Sequence, residues 1–253
     1  MISLWFKKKH LVIAVILAAF IFVSMRATEF DLSKFRDFGN MIEFLGQWFP
    51  MDTSKLPLML EDAGETLAMA FLGSFLALII ALPVSFLAAK NTAPIGFFYL
   101  LRTGLSFIRS VPEIVIGLIL LTMLGLGPFP AVIAIMIHNI GVLGKLISEL
   151  IEAADPGPQE AMRAVGAKRW IAHLFSILPQ IWPNVLSHFF YRFEVAIRTS
   201  LILGFIGGGG IGQRLFNDFK TFQYSAVALD VLIIMVMVIV IDFLTSYIRN
   251  RVI

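Results

Sequence analysis

The residues best suited to chemistry in this chain are charged side chains inside an apolar run. Arg192, Glu194 and Arg198 lie within the stretch 185–206, which is otherwise largely apolar. Charges inside a membrane are costly and mark functional candidates. Because a guanidinium fork matches the oxygens of a phosphate-type anion, Arg192 is predicted to favour an oxyanion along a translocation path, as is Arg198 if Glu194 pairs elsewhere. Thr199 follows Arg192 on the same helical face. The structural alternative is a neutralised Glu194–Arg198 pair, four residues apart.

Two further pairs have the spacing of helical ion pairs. Arg109 precedes Glu113 by four residues, and Lys145 precedes Glu149 by the same distance. Residues four apart meet on a helix surface. Both pairs are therefore predicted to be structural contacts or contacts between subunits.

The residues for metal or covalent chemistry are missing from the sequence. There is no cysteine, which excludes disulfides, thiolate metal sites and cysteine nucleophiles. His138 beside Asn139 lacks the companions of a metal site, so these residues are predicted to form hydrogen bonds between helices. No Ser/His/Asp set or carboxylate pair falls at a common depth. No G-x-x-x-x-G-K-[ST] phosphate loop occurs, so the chain is predicted not to hydrolyse ATP.

A run of glycines must interrupt the helix that contains the arginines. Gly207, Gly208, Gly209 and Gly210 are consecutive, and Gly212 follows. Glycine permits φ values that are closed to other residues. Three hypotheses remain open: a hinge or gate, a turn that allows tight packing, and a nest of backbone N–H groups for an anion.

A polar stretch before these helices has the pattern of two short helices. The segment Gln159–Val165 is predicted to be an amphipathic helix that ends at Gly166 in a left-handed C-cap. A second helix is predicted over Lys168–Ile177. It should stop before Pro179, because the residue before a proline disfavours the helical region.

The composition places these elements in a membrane. The chain of 253 residues is 58% hydrophobic and 15% charged, whereas soluble domains carry about 25% charge. A bilayer core requires roughly 20 apolar residues per helix. We interpret the first apolar run as a retained span rather than a cleaved signal peptide. Six spans are predicted: Leu11–Met25, Thr66–Ala89, Phe97–Leu124 (interrupted near Pro112), Phe129–Ile147, Val185–Ile206 and Tyr224–Tyr247.

Six spans put both termini on one side of the membrane, and the basic residues indicate which side. Lys7, Lys8, Lys9 and Lys90 fall on that side, together with the bases of the polar stretch. The opposite segment 26–62, with an interfacial helix predicted near Phe35–Trp48, has more acids than bases. The positive-inside rule therefore predicts cytoplasmic termini.

The polar stretch resembles the EAA loop of ABC importer permeases. The motif begins with Glu-Ala, which Glu160 and Ala161 match. It continues with a glycine six residues after the glutamate, which is Gly166, and with Leu-Pro, whose proline is Pro179, thirteen residues after that glycine. In the family this loop docks in a groove of a cytoplasmic ATPase subunit. The resemblance implies an ATPase-coupling role for Glu160, Ala161, Gly166, Ala167 and Pro179.

Further segments are similar to phosphonate ABC permeases, and the likeness extends from about Glu61 to the C-terminus. It implies an all-α membrane protein with six transmembrane helices, the type I ABC importer permease fold and a cytoplasmic coupling-helix loop. It also implies import of phosphonate or of a phosphite- or phosphate-like oxyanion. The similar segments are Gly125–Phe129, His138 with Gly141–Leu143, Glu152–Pro158, Leu178–Gln180, Tyr191–Glu194 with Arg198, and Gly208–Gly212.

The resemblance further implies an assembly in the bacterial cytoplasmic membrane. Its parts are a homodimer of permease subunits, two cytoplasmic ATPase subunits and a periplasmic or lipid-anchored binding protein. ATP and Mg would be used by the ATPase, with no cofactor bound by this chain and no nucleic acid as partner. Residues 1–60 would form a transmembrane helix and an external interfacial segment. Residues 61–253 would form the permease domain, with the coupling loop at about 149–180.

Two alternatives stay open at this point. Within the importers, the solute could instead be an amino acid or a metal chelate. A secondary transporter or channel that works without ATP is the other class, and it leaves the polar loop unexplained.

Overall fold

The computed structural model describes residues 8–252, and the regular structure in that range is helical. Lys7, one of the basic residues from which the orientation was predicted, lies outside the described residues, as do the side chains of Lys8 and Lys9. The helices are α1 Lys8–Ala27, α2 Phe38–Gly46, α3 Leu56–Ala88, α4 Ile95–Ser110, α5 Glu113–Leu124, α6 Pro128–Ala153, α7 Pro156–Ala164, α8 Arg169–Ala172, α9 Leu178–Phe205, α10 Gly210–Lys220 and α11 Tyr224–Val252.

The chain divides after Gln47 into two compact units. In the first unit, α1 is apolar and long enough to cross a membrane, as predicted. A short 3₁₀ turn over Leu32–Asp37 follows and leads into α2. The turn starts where the Asp31 carboxylate accepts a hydrogen bond from the backbone N–H of Ser33 at 2.8 Å, a typical cap. A helix therefore occurs within the segment that was predicted to be interfacial.

The second unit is a helical bundle in which α3, α6 and α9 pack closely through small residues. Buried alanines, glycines and serines line α3. A methyl group added at Gly73 would lie 2.7 Å from the Ile135 side chain of α6. In membranes, where lipid is as apolar as leucine, such small residues let helix backbones approach. The interior of the bundle is consequently tight.

The predicted spans correspond to four long apolar helices and two bent pairs. The break predicted near Pro112 is confirmed, because α4 and α5 meet at an angle of 85° around Pro112. The second span begins earlier than predicted, at Leu56 rather than Thr66. α3 therefore begins before the predicted apolar stretch. Pro57 is tolerated in its first turn, because the missing N–H of a proline costs nothing there.

Candidate functional site

The loop between α6 and α9 projects as two short helices, which we call the loop protrusion (Pro156–Ala172). α7 ends in a Schellman motif. The N–H of Ala167 donates to the carbonyl of Met162 at 3.1 Å, and the N–H of Gly166 donates to the carbonyl of Arg163 at 3.0 Å. Gly166 has a φ of +83°. The predicted left-handed cap at this glycine is confirmed.

The tip of the loop protrusion is open to its surroundings. No residue of α7 is buried, and Glu160, Ala161 and Gly166 are all exposed, with Ala167 half-buried. Val165 is 81% exposed. The tip thus presents one exposed apolar side chain among small exposed residues.

Gln180 ties the base of the loop protrusion to α9. Its Oε1 accepts a hydrogen bond from the backbone N–H of Asp155 at 3.0 Å. Its Nε2 donates to the carbonyl of Ser176 at 2.7 Å. Asp155 in turn caps α7 by accepting a hydrogen bond from the N–H of Gly157 at 3.0 Å. Gln180 therefore connects the start of α7 to the start of α9.

The predicted helix end before Pro179 is wrong. α8 continues through a π-helical turn, His173–Ile177, directly into α9, and Pro179 lies in the first turn of α9. A proline is tolerated there because its missing N–H is not needed at the start of a helix. The wider π turn changes the hydrogen-bond ladder just before it. The loop protrusion and α9 thus share a nearly continuous helical backbone.

A buried polar cluster joins four helices inside the bundle. Arg192 of α9 donates from Nε and Nη2 to Oδ1 of Asn139, at 2.8 and 2.5 Å. Asn139 donates from Nδ2 to Ser74 Oγ of α3 at 3.1 Å. The carboxyl of Glu113 on α5 lies close enough for its charge to interact with Arg192. The predicted hydrogen bonding between helices is confirmed for Asn139, whereas the ring of His138 lies beside the backbone of Val111.

The second arginine of α9 has a different environment. Arg198 donates from Nη2 to Glu194 Oε1 at 2.7 Å, so the predicted pair is confirmed. The side chain of Arg198 is 51% exposed, while that of Glu194 is 10% exposed. Thr199 donates to the carbonyl of Val195 in its own helix at 3.2 Å. The structure therefore separates a buried arginine, Arg192, from an open one, Arg198.

Of the two other predicted ion pairs, one forms. Lys145 Nζ lies 3.2 Å from Glu149 Oε1. The prediction of an Arg109–Glu113 pair is wrong. Among the described residues no ion pair joins these two side chains, and the 85° bend places them on different helices. Four-residue spacing predicts contact only while the helix is continuous.

An ion network that the sequence did not indicate lies next to the loop protrusion. Glu152 Oε1, near the end of α6, accepts from Arg102 Nη1 at 2.6 Å and from the backbone N–H of Lys90 at 2.9 Å. Arg102 Nη2 also lies 3.7 Å from Glu149 Oε1. The ends of α3 and α6 and the middle of α4 are thereby held together where α6 leads into α7.

The glycine run ends α9 at Phe205 and starts α10 at Gly210. Gly207, Gly209 and Gly210 have φ values of +99°, +88° and +67°. A side chain at Gly212 would collide with the backbone of α9. The run therefore provides both a turn that needs glycine and a close approach of two helices.

The backbone N–H groups at the start of α10 bind side chains of this chain. Gly210 N–H donates to Glu65 Oε2 at 3.0 Å, and Ile211 N–H donates to Thr66 Oγ1 at 3.0 Å. Gly209 N–H donates to Gln213 Oε1 at 2.9 Å. A carboxylate of α3 thus occupies the position that the nest hypothesis would give to a bound anion.

A cavity of about 400 Å³ opens beside the start of α10. Arg214 of α10 pairs with Asp62 of α3 across it. Nothing in the sequence pattern brings these two residues together, since 152 positions separate them. Asp230, which lies behind the cavity, was not predicted, although an acid within an apolar span is a signal for a functional residue. The lining residues are Asp62, Glu65, Gly209, Gly210, Gln213, Arg214, Asn217 and Asp218.

This arrangement of helices, loop and glycine break coincides with a known family. Residues 81–253 match the family described as binding-protein-dependent transport system inner membrane component. The chain belongs to this family. It is therefore a multi-pass permease of the inner membrane, with the expected helical fold.

Individual relatives agree with the family match. The permease is 37% identical over 207 residues to the phosphite transport system permease protein PtxC of Stutzerimonas stutzeri, covering 81% of this chain and 75% of that protein. It is 35% identical over 190 residues to the phosphate-import permease protein PhnE of Mycolicibacterium smegmatis, covering 75% of this chain and 36% of that longer protein.

A solved structure gives the same fold. A chain of the MetNI methionine ABC transporter, in an inward-facing conformation, superposes on the permease with a TM-score of 0.70. The superposition covers 80% of the permease and all of that chain, at 20% identity. The predicted type I importer fold is confirmed by this likeness.

Proposed function

We propose that this permease imports a phosphorus oxyanion of the phosphite, phosphonate and phosphate class across the cytoplasmic membrane. The observation that carries the proposal is the 37% identity to a phosphite permease over 81% of the chain. The Arg198 side chain is paired through Nη2 with Glu194 but stays 51% exposed within a span, and the exposed part of its guanidinium suits an anion of this class, because a guanidinium fork matches oxyanion geometry.

The import is driven by separate ATPase subunits that dock on the loop protrusion. The exposed Glu160, Ala161, Val165 and Gly166 support this role, since small residues and one apolar side chain permit close backbone approach. The Gln180 tether gives docking a route to α9. ATP and Mg are bound by those subunits and not by this chain. The loop protrusion and both termini face the cytoplasm, in accord with the basic residues on that side.

A second copy of the permease completes the path. Asn184, Tyr191 and Arg198 recur every seven residues along α9, and all three are exposed. Contact of this helix face with lipid is unfavourable, because a charged side chain in hydrocarbon is costly. A second copy facing it encloses a polar path, and an external binding protein delivers the anion to that path. The glycine run at the end of α9 serves as the gate.

Reconstitution tests the proposal. Proteoliposomes that contain the permease, its ATPase and its binding protein should accumulate phosphite, phosphate or methylphosphonate when ATP is enclosed on the ATPase side. A non-hydrolysable ATP analogue should abolish uptake. Uptake by the permease alone would contradict ATP coupling, and uptake limited to amino acids would contradict the substrate class.

A further inference from the structure

The cavity beside α10 is rich in acids, and Arg214 is the one basic side chain among its lining residues. Asp62, Glu65 and Asp218 line it, and Asp230 of α11 lies behind them. Arg214 pairs with Asp62, and the N–H of Gly210 satisfies one oxygen of Glu65. One guanidinium therefore faces four carboxyl groups.

Two of these carboxyl groups have buried oxygen atoms without a donor among the described residues. Asp218 is 7% exposed and lines the cavity, yet its Oδ2 has no hydrogen-bond partner among the described residues. Asp230 is fully buried, and both of its oxygens lack a partner in that same part of the chain. The side chains of Asp218 and Asp230 lie within hydrogen-bonding reach of each other, but neither supplies a donor to the other when both are ionised. Buried acceptors without donors are rare and costly.

We propose that this acidic cavity receives a lysine or arginine side chain of the external binding protein when that protein docks. The inference rests on the proposed function, since it requires such a partner. An ammonium group offers three donors and a guanidinium five, which matches the unsatisfied oxygens of Asp218 and Asp230. A protein side chain fits better than the transported oxyanion, which the surrounding carboxylates repel.

The location of the cavity gives docking a consequence for transport. The cavity lies at the outer end of α3, on the side opposite the loop protrusion in the proposed orientation. Its wall includes Glu65, which holds the N–H of Gly210 at the glycine break. A cation that enters beside Asp218 attracts the Glu65 carboxylate as well. Docking therefore loosens the contact that fixes the start of α10.

The test compares Asp218→Asn with Glu61→Gln in the complete permease–ATPase complex in nanodiscs. Glu61 is exposed on the same turn of α3 as Asp62 but does not line the cavity. ATP hydrolysis is titrated with the ligand-loaded binding protein, and each rate is divided by the variant's own unstimulated rate. Asp218→Asn should raise the half-stimulating concentration at least about tenfold, as for loss of one member of a buried charge pair. Glu61→Gln should leave it within about twofold.

A second measurement uses the unaltered complex, in case Asp218→Asn does not assemble. Methylguanidinium should raise the half-stimulating concentration, whereas tetramethylammonium at equal ionic strength should not, because it has no N–H donors. Equal effects of the two cations would overturn the inference. So would an unchanged half-stimulating concentration in Asp218→Asn, which would indicate a proton shared with Asp230.

The experiment also separates other outcomes. If the Asp218→Asn defect appears with an aminoalkylphosphonate as ligand but not with phosphite, the cavity takes the amine of the ligand, and the proposal for the binding protein is wrong. If the unaltered complex is not stimulated by any binding protein, the proposed function fails rather than this inference.

Discussion

Arg192 and Asn139 are joined by two hydrogen bonds from one guanidinium to one amide oxygen, across the interface of α9 and α6. Asn139 passes the connection to Ser74 of α3. Because Arg192 is buried, its charge depends on this acceptor and on Glu113 nearby. The pair therefore connects α9 to α6 inside the bundle, whereas Arg198 of the same helix is half exposed and pairs with Glu194.

Asn139→Leu should destabilise the permease by about 3 kcal/mol, because it leaves a buried charge without its main acceptor. The measurement is the apparent melting temperature of the purified protein in detergent. Asn139→Asp keeps the acceptor oxygen and should be affected less. The double variant Asn139→Leu with Arg192→Met should recover most of the loss. A melting temperature that is unchanged in Asn139→Leu would contradict a structural role for Arg192.

Arg198→Gln should lower the rate of oxyanion uptake about tenfold, the effect of losing one charged hydrogen bond to the solute. Arg198→Lys keeps the charge but not the guanidinium fork, so its uptake rate should lie between that of the unaltered permease and that of Arg198→Gln. Uptake is measured in proteoliposomes at equal amounts of assembled complex. Uptake by Arg198→Gln at the unaltered rate would show that the solute does not contact this residue.

Gly166→Ala should weaken the loop protrusion by about 1 kcal/mol, because φ is +83° there and a side chain disfavours the left-handed region. No atom lies within 4 Å of the added methyl group, so the effect is conformational and not steric. We expect less ATPase subunit to copurify with the permease. Gly157→Ala lies in the same loop at an ordinary φ and is the matched control. If both variants retained equal amounts of the ATPase subunit, the left-handed cap at Gly166 would not be required for docking.

Glu152→Gln should weaken the contact of α6 with α4 and with the end of α3 by about 1.5 kcal/mol, since the carboxylate accepts two hydrogen bonds and balances Arg102. Limited proteolysis of the loop protrusion should become faster. Glu149→Gln is the comparison within the same network and should have a smaller effect, because its side chain is 47% exposed and exposed pairs contribute little. Equal cleavage rates in the two variants would contradict the larger contribution assigned to Glu152.

Gly212→Ala should cost about 2 kcal/mol, because the new methyl group meets the backbone of Leu201 and backbone cannot move aside cheaply. Gly64→Ala, on the open side of α3 with no atom within 4 Å, should be neutral or slightly stabilising. Thermal unfolding of both variants in detergent provides the comparison. Similar melting temperatures would mean that α10 can shift away from α9.

Features that depend on neighbouring residues were predictable from the sequence. The cap at Gly166, the break at Pro112 and the Glu194–Arg198 pair each follow from a few adjacent residues, and all three occur. The Arg109–Glu113 pair fails for an instructive reason. The same proline that predicted a break also removed the continuous helix on which the pair depended.

Features that depend on tertiary packing were not predictable. Glu152 meets Lys90 and Arg102 across 62 and 50 residues, and Asp62 meets Arg214 across 152. No periodicity encodes such distances in the chain. The helix that passes Pro179 is a similar case, because the rule for residues before proline did not include a π turn as an alternative.

The π turn His173–Ile177 has a consequence for how such loops can diverge. Successive α-helical residues differ by about 100° in direction around the axis, so one residue more or less in this turn would change the phase of everything attached to its far side. A single-residue deletion here would restore a regular helix and rotate α8 relative to α9. Small insertions and deletions at this point would thus change the direction in which the loop leaves the bundle.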